Sequence, residues 1–135
     1  MELAVAIGLI EKGIAQGNEP QLWVELGAGK GLFTRALSTL LPAGSTIHAM
    51  DIDNTSLKSI ALEVDNITLV KSKLDFVRDP LPLKNVDGLL FANAIHFAPN
   101  KIQLAKNLRK HLKEGGKLIL VEYDTDTANA GFLTQ

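Results

Sequence analysis

The chain has 135 residues, 46% of them hydrophobic and 21% charged, enough for one real core and too few for two. Its net charge is −1, and its 14 basic residues are scattered, so no electrostatic footprint for nucleic acid or a membrane surface is present. The absence of cysteine excludes disulfides and thiolate metal sites and suits a reducing compartment.

In the opening MELAVAIGLIEKG, apolar residues at Leu3, Ile7, Ile10 and Ile14 follow helical spacing, which predicts an amphipathic helix over 1–17 that ends at QGNEP. The segment has no basic n-region or small-residue cleavage site, and Glu11 and Lys12 interrupt it. A signal peptide or membrane span is therefore not expected, and the cytoplasm is the default location.

QLWVEL reads as a buried first strand, followed by glycines at 27, 29 and 31. Leu32, Ala36 and Leu40 then form one helical row beside Phe33, Leu37 and Leu41, and PAG ends that helix. STIHAM is a second strand, closed by the acidic turn DIDN. Asn54, Thr55 or Ser56 is placed to cap a helix carrying Leu57, Ile60, Ala61 and Val64. NITLVKS is a third strand, DFVRDPLPLKN a proline-broken loop, and VDGLLFA a fourth strand. A helix with Ile102, Ala105, Leu108 and Leu112 closes at EGG before a fifth strand, KLILVEY.

Short apolar strands alternating with amphipathic helices predict an α/β three-layer sandwich around a mostly parallel, doubly wound sheet of about five strands. The expectation is a single domain over 1–135, with an N-terminal helix at 1–17, a core at 21–124 and a tail at 125–135. Ligands of such sheets sit at the carboxyl ends of the strands, where strand order reverses. The unusual residue clusters of this chain fall at those ends.

A glycine-rich strand-to-helix turn lets a ligand lie on bare backbone, with N–H groups and a helix N-terminus nearby. Here the spacing is G-x-G-x-G, and Glu25 stands just before it in E-L-G-A-G-K-G. A dinucleotide would set its pyrophosphate over this turn, against the charge of Glu25. S-adenosylmethionine, which carries an α-ammonium and a sulfonium but no phosphate, suits the carboxylate better.

With this motif the chain resembles the class I S-adenosylmethionine-dependent methyltransferases, over about residues 21–124. The resemblance continues in HAMDID, where Asp51 ends strand two. It runs on through KSKLDFV after strand three, FANAIHF after strand four, and LRKHLKEGGKLILVEY. It implies S-adenosylmethionine as cofactor and S-adenosylhomocysteine as product. Glu25, Gly27, Ala28, Gly29 and Gly31 would form the turn that meets the cofactor, and Asp51 would take the ribose hydroxyls as a bidentate acceptor. Ile52, Asp75 and Phe76 would meet the adenine.

Each of these residues also has a plainer role open to it. The glycines serve any tight turn, Glu25 suits local backbone N–H groups, and Asp51 suits the cap of the next helix. Asp53 reads as a capping or solvated residue, and Lys30 and Asp79 as exposed. Asn93 and His96 lie where the methyl group is expected, and Asn93 is a candidate to offer its carbonyl or side chain to the cofactor or the acceptor. His96 is a candidate general base, or else a packed histidine at a helix start. The rings of Phe76, Phe91 and Phe97 are candidates to face a cation. No ligand spacing for a metal is evident.

Methyl transfer from a sulfonium is an in-line displacement in which positioning the acceptor matters most. The acceptor is expected to be a small molecule, with no nucleic acid and no membrane involved. The tail DTDTANAGFLTQ looks too short and polar to supply the sixth and seventh strands of that family. Strand five is therefore expected to be an open apolar edge at 117–123, which invites a homodimer. A truncated chain of this kind would have an incomplete acceptor pocket. The alternatives are a non-catalytic S-adenosylmethionine-binding or interaction module and, on weaker grounds, an NAD-binding oxidoreductase.

Overall fold

Apolar residues dominate the first strand, β1 (Leu22–Leu26), and side chains on both of its faces are buried. A strand buried on both faces belongs in the middle of a sheet with cover on each side. The computed structural model, which describes residues 1–76, 78–92, 101–123 and 128–135, places it there. The sheet has six strands in the order β3-β2-β1-β4-β5-β6. The others are β2 (Thr46–Asp51), β3 (Thr68–Lys73), β4 (Val86–Ala92), β5 (Leu112–Tyr123) and β6 (Ala128–Thr134). The first five pair in parallel, and β6 runs antiparallel to β5.

Two helices cover one face, α1 (Leu3–Ile10) and α2 (Leu32–Leu40), with Ala6, Ile10, Phe33 and Leu37 packed over Trp23, Ile47 and Ile119. Helix α4 (Lys101–Arg109) covers the other, its Ala105 and Leu108 lying on Val24, Leu26, Leu89 and Phe91. Trp23 pairs in register with Gly88, and its indole fills the space where a Cβ on that glycine would stand. The largest side chain of the core thus lies flat on its neighbouring strand. Strand order reverses between β1 and β4, because β2 and β3 extend one way and β5 and β6 the other. Among the described residues no helix is long and apolar enough to cross a membrane.

Several boundaries differ from the sequence reading. Helix α1 stops at Ile10 and tightens into a 3₁₀ turn over Glu11–Gly13. The helix after β2, α3, spans only Asn54–Lys58, and its cap is Asp53, whose side chain accepts from the Thr55 and Ser56 N–H groups. Ile60 leaves the helix and packs under Gly31 instead. Leu112 belongs to β5, whose pairing with β4 slips between Val86↔Leu112 and Gly88↔Lys117 to absorb the Glu-Gly-Gly stretch.

The largest correction concerns the tail. Residues 128–134 form β6, which pairs with β5 from Lys117↔Thr134 to Tyr123↔Ala128, and Gln135 closes the ladder on Gly115 and Gly116. The sheet therefore has six strands rather than five. The strand-five edge at 117–123 is occupied, which removes the reason given for a homodimer through it. A short segment suffices here because an antiparallel edge strand is held by its backbone ladder, with Ala130 packed against the core. Phe132 and Leu133 remain 41% and 44% exposed on it.

Candidate functional site

The Gly27–Gly31 turn leaves the carboxyl end of β1 at the point where strand order reverses, and α2 starts directly behind it. Three of its glycines have positive φ: Gly27 at 73°, Gly29 at 55° and Gly31 at 94°. They answer different needs. A Cβ on Gly31 would stand 2.7 Å from Ile60, so that position is closed by packing, whereas a Cβ on Gly29 would point into open space. Gly29 is thus the glycine that leaves a bare face to a ligand.

The amide groups of the turn are already engaged. Gly27 and Ala28 donate to the Met50 carbonyl at 2.8 and 3.0 Å, and Gly31 donates to Ala28 at 3.0 Å. Gly29 donates to Asp51 Oδ2 at 2.7 Å. These four N–H groups hold the turn against the end of β2 and do not converge on an external anion. The expectation that backbone donors of the turn stand open to a ligand is corrected for them.

Asp51 ends β2 beside the turn. Its Oδ1 accepts from the Asp53 N–H at 2.8 Å, and its Oδ2 accepts from Gly29. A carboxylate offers about four lone-pair positions, so each oxygen keeps one for a further donor. Asp51 is half-buried, which lets those positions face a ligand. It fastens the turn, while the helix-cap role falls to Asp53. Ile52, next to it, is 57% exposed, an apolar side chain in water at the rim of the site.

Glu25 lies deeper. It is wholly buried, and its Oε1 accepts a hydrogen bond from the hydroxyl of Thr34 on α2. Its Oε2 is buried with no hydrogen-bond partner among the described residues. Burial pushes its pKa from 4.5 to about 8; the Thr34 bond pulls it down and the nearby charge of Asp51 pushes it up. The carboxyl is therefore mostly protonated at neutral pH. The sequence reading foresaw neither the Thr34 partner nor this neutral state. Thr34 was findable: it lies on the buried row of α2 beside Phe33 and Leu37, and a polar group there requires a polar partner.

The adenine candidates lie after β3. Asp75 begins a turn in which its carbonyl accepts from Asp79 at 2.7 Å, while its own N–H donates to the Asp79 carboxylate at 3.1 Å. Phe76 meets Phe91 edge to face with ring centroids 4.7 Å apart. Phe91 is fully buried, so its ring is not a surface for a ligand cation. Lys30 and Asp79 are exposed, as expected. Asn93, His96 and Phe97 lie outside the described residues. The structure thus brings Glu25, Gly29, Asp51 and Ile52 to one end of the sheet.

Two cavities open at the opposite end. One, of about 360 Å³, is lined by Glu11, Lys12, Ile14, Gln16 and Leu40. The other, of about 250 Å³, involves Gly17, Gln21, Asp87 and Lys113. Asp87 is fully engaged there, with Leu22 N–H donating at 2.6 Å and Lys113 forming an ion pair.

Comparison with known proteins agrees with this layout. Fusarin C synthetase of Gibberella moniliformis is 29% identical over 129 residues, covering 90% of this chain and 3% of that protein. Highly reducing polyketide synthase AN6791 of Emericella nidulans is 28% identical over 123 residues, covering 81% of this chain and 5% of that protein. The chain thus spans only a few per cent of the curated relatives it matches. Among solved structures, coclaurine N-methyltransferase, bound to N-methylheliamine and S-adenosylhomocysteine, superposes with a TM-score of 0.71 at 17% identity. That match covers 90% of this chain and 36% of that one, and it speaks to the fold. A family model described as "Methyltransferase domain" matches residues 24–118, more than half of the chain, and the chain belongs to that family.

Proposed function

We propose that the chain is an S-adenosylmethionine-dependent methyltransferase domain that acts on a small organic acceptor. The observation that carries the reading is the acidic lining and the shortage of free donors at Gly27–Gly31. Four amides of the turn are held by protein acceptors, and the carboxyls beside it are Glu25 and Asp51. Such a site disfavours a pyrophosphate and favours a ligand that brings hydroxyls and a positive charge.

The residues fit that cofactor. Gly29 would leave its bare face to it, Asp51 would take the ribose hydroxyls, and Glu25 would answer the ammonium charge. Ile52 would cover an adenine face, with Asp75 and Phe76 beside it. When bound, the cofactor supplies a methyl group on a positively charged sulfur. The chain's task is then to hold the acceptor in line and exclude water. Asn93 and His96 are proposed, from sequence alone, to meet the acceptor. Two matched relatives are a fusarin C synthetase and a polyketide synthase, which favours an acceptor of polyketide type over nucleic acid. The net charge of −1 points the same way. A cytoplasmic setting is proposed from the lack of cysteine.

Isothermal titration with S-adenosylhomocysteine and with NADH tests the cofactor. Binding of S-adenosylhomocysteine alone supports the reading, and binding of NADH alone overturns it in favour of the oxidoreductase. Release of S-adenosylhomocysteine from the donor in the presence of polyketide-like thioesters separates an active domain from a binding module.

A further inference from the structure

A buried carboxyl with one oxygen held and the other without a partner is an unusual thing to keep in a core. In this chain it sits two residues before the glycine turn, and the group that holds it, Thr34, is itself fully buried on α2. We propose that Thr34 is a positioning residue that engages Glu25 Oε1 and keeps Oε2 for the charge of the ligand's ammonium group, so that ligand binding drives a proton off Glu25. This inference rests on the cofactor reading above.

The chemistry balances simply. In the free protein Glu25 is a neutral acid, with Thr34 donating to one oxygen. The ligand's ammonium arrives over the turn and, in the low dielectric of the site, stabilises the anion by charge. The O–H bond of the acid breaks, its electron pair stays on the carboxylate, and the proton passes to buffer. No oxidant or second reactant is needed.

Among the described residues no other charged side chain competes for this role. Helix α1 carries no titratable residue over Leu3–Ile10. On α2, Arg35 is turned to Glu63, 3.2 Å away. On β2, His48 points to the opposite face from Glu25 by strand alternation, while Asp51 shares the face of Glu25 and raises its pKa. Strand β4 offers only Asp87, which is tied to Leu22 and Lys113 at the far end. On α3, Lys58 is exposed. The neutral state of the free protein therefore follows from burial and from Asp51, and an incoming cation is what reverses it.

The test is titration of the full chain with S-adenosylhomocysteine, which carries the ammonium, in buffers of different ionisation enthalpy at pH 6, 7, 8 and 9. Release of close to one proton is expected at pH 7, falling toward none by pH 9. Affinity should rise by up to about tenfold per pH unit below pH 8. Glu25→Gln, which subtracts any titration of the ligand itself, should abolish the release. Thr34→Ala removes the bond that favours the anion, so its pH profile should move to higher pH, and Thr34→Ser should restore it. Binding without proton uptake or release at pH 7, or a Thr34→Ala profile that coincides with wild type, overturns the inference while leaving the cofactor reading intact. No binding at any pH overturns both.

Discussion

The two ends of the sheet hold buried or half-buried carboxyls in opposite states. At the amino end, Asp87 has both oxygens engaged, by the Leu22 N–H and by Lys113, next to open cavities of about 250 and 360 Å³. At the carboxyl end, among the described residues, Glu25 keeps one oxygen without a partner and Asp51 keeps lone pairs on both. The described cavities lie at one end and the buried carboxyl oxygen without a described partner at the other. An engaged carboxylate such as Asp87 asks for no ligand, whereas a buried unsatisfied carboxyl is tolerated only where something else completes it. The contrast gives Asp87 a structural place and supports the cofactor roles proposed for Glu25 and Asp51.

That contrast can be broken by substitution. The largest effect is expected from Gly31→Ala, which forces an alanine into φ 94° and drives its Cβ against Ile60. A stability loss of about 3 kcal/mol by chemical denaturation is expected, from left-handed strain plus overpacking. Next, Asp51→Ala should weaken S-adenosylhomocysteine binding by about 1.5–3 kcal/mol, as for hydrogen bonds to a charged group. Unchanged affinity in titration would mean that the ribose is elsewhere. Asp87→Ala should do the reverse, with a loss of about 1–2 kcal/mol in stability from the unpaired Leu22 N–H and no change in ligand affinity.

The gentlest effect, taken per pH unit, is a pH slope. Glu25 binds a proton in the folded state up to about pH 8 but only to about 4.5 when unfolded. Between those values the folded state holds the extra proton, so the contribution of Glu25 to stability falls as pH rises through that window and is flat above it. The loss is at most about 1.4 kcal/mol per pH unit. Glu25→Gln lacks this slope, so its melting temperature should gain on wild type from pH 5 to pH 8. Equal gaps at the two pH values would show that Glu25 is ionised throughout.

The central strands and the glycine turn were legible because their signals are local. β4 matches VDGLLFA residue for residue, and positive-φ glycines announce themselves by spacing. The β5–β6 half was not. ANAGFLT has weak strand character alone and becomes β6 only because β5 presents a ladder to it, a tertiary effect that propensity does not carry. The same holds for α3, which the helical row of Leu57, Ile60 and Val64 suggested was longer. Ile60 is taken by Gly31, and the helix ends at Lys58. At the site, Glu25 and Asp51 were readable as residues, but their partners were not. Whether Glu25 faces solvent or Thr34 depends on how α2 docks, a contact nine residues away.

The most direct test of the account is an amide chemical-shift map of the chain titrated with S-adenosylhomocysteine. Shifts concentrated at Gly27–Gly31 and Asp51–Ile52, with Ala15–Gln21 and Asp87 unmoved, are the predicted result. Shifts concentrated around the amino-end cavities at Ala15–Gln21, with the glycine turn silent, would contradict it.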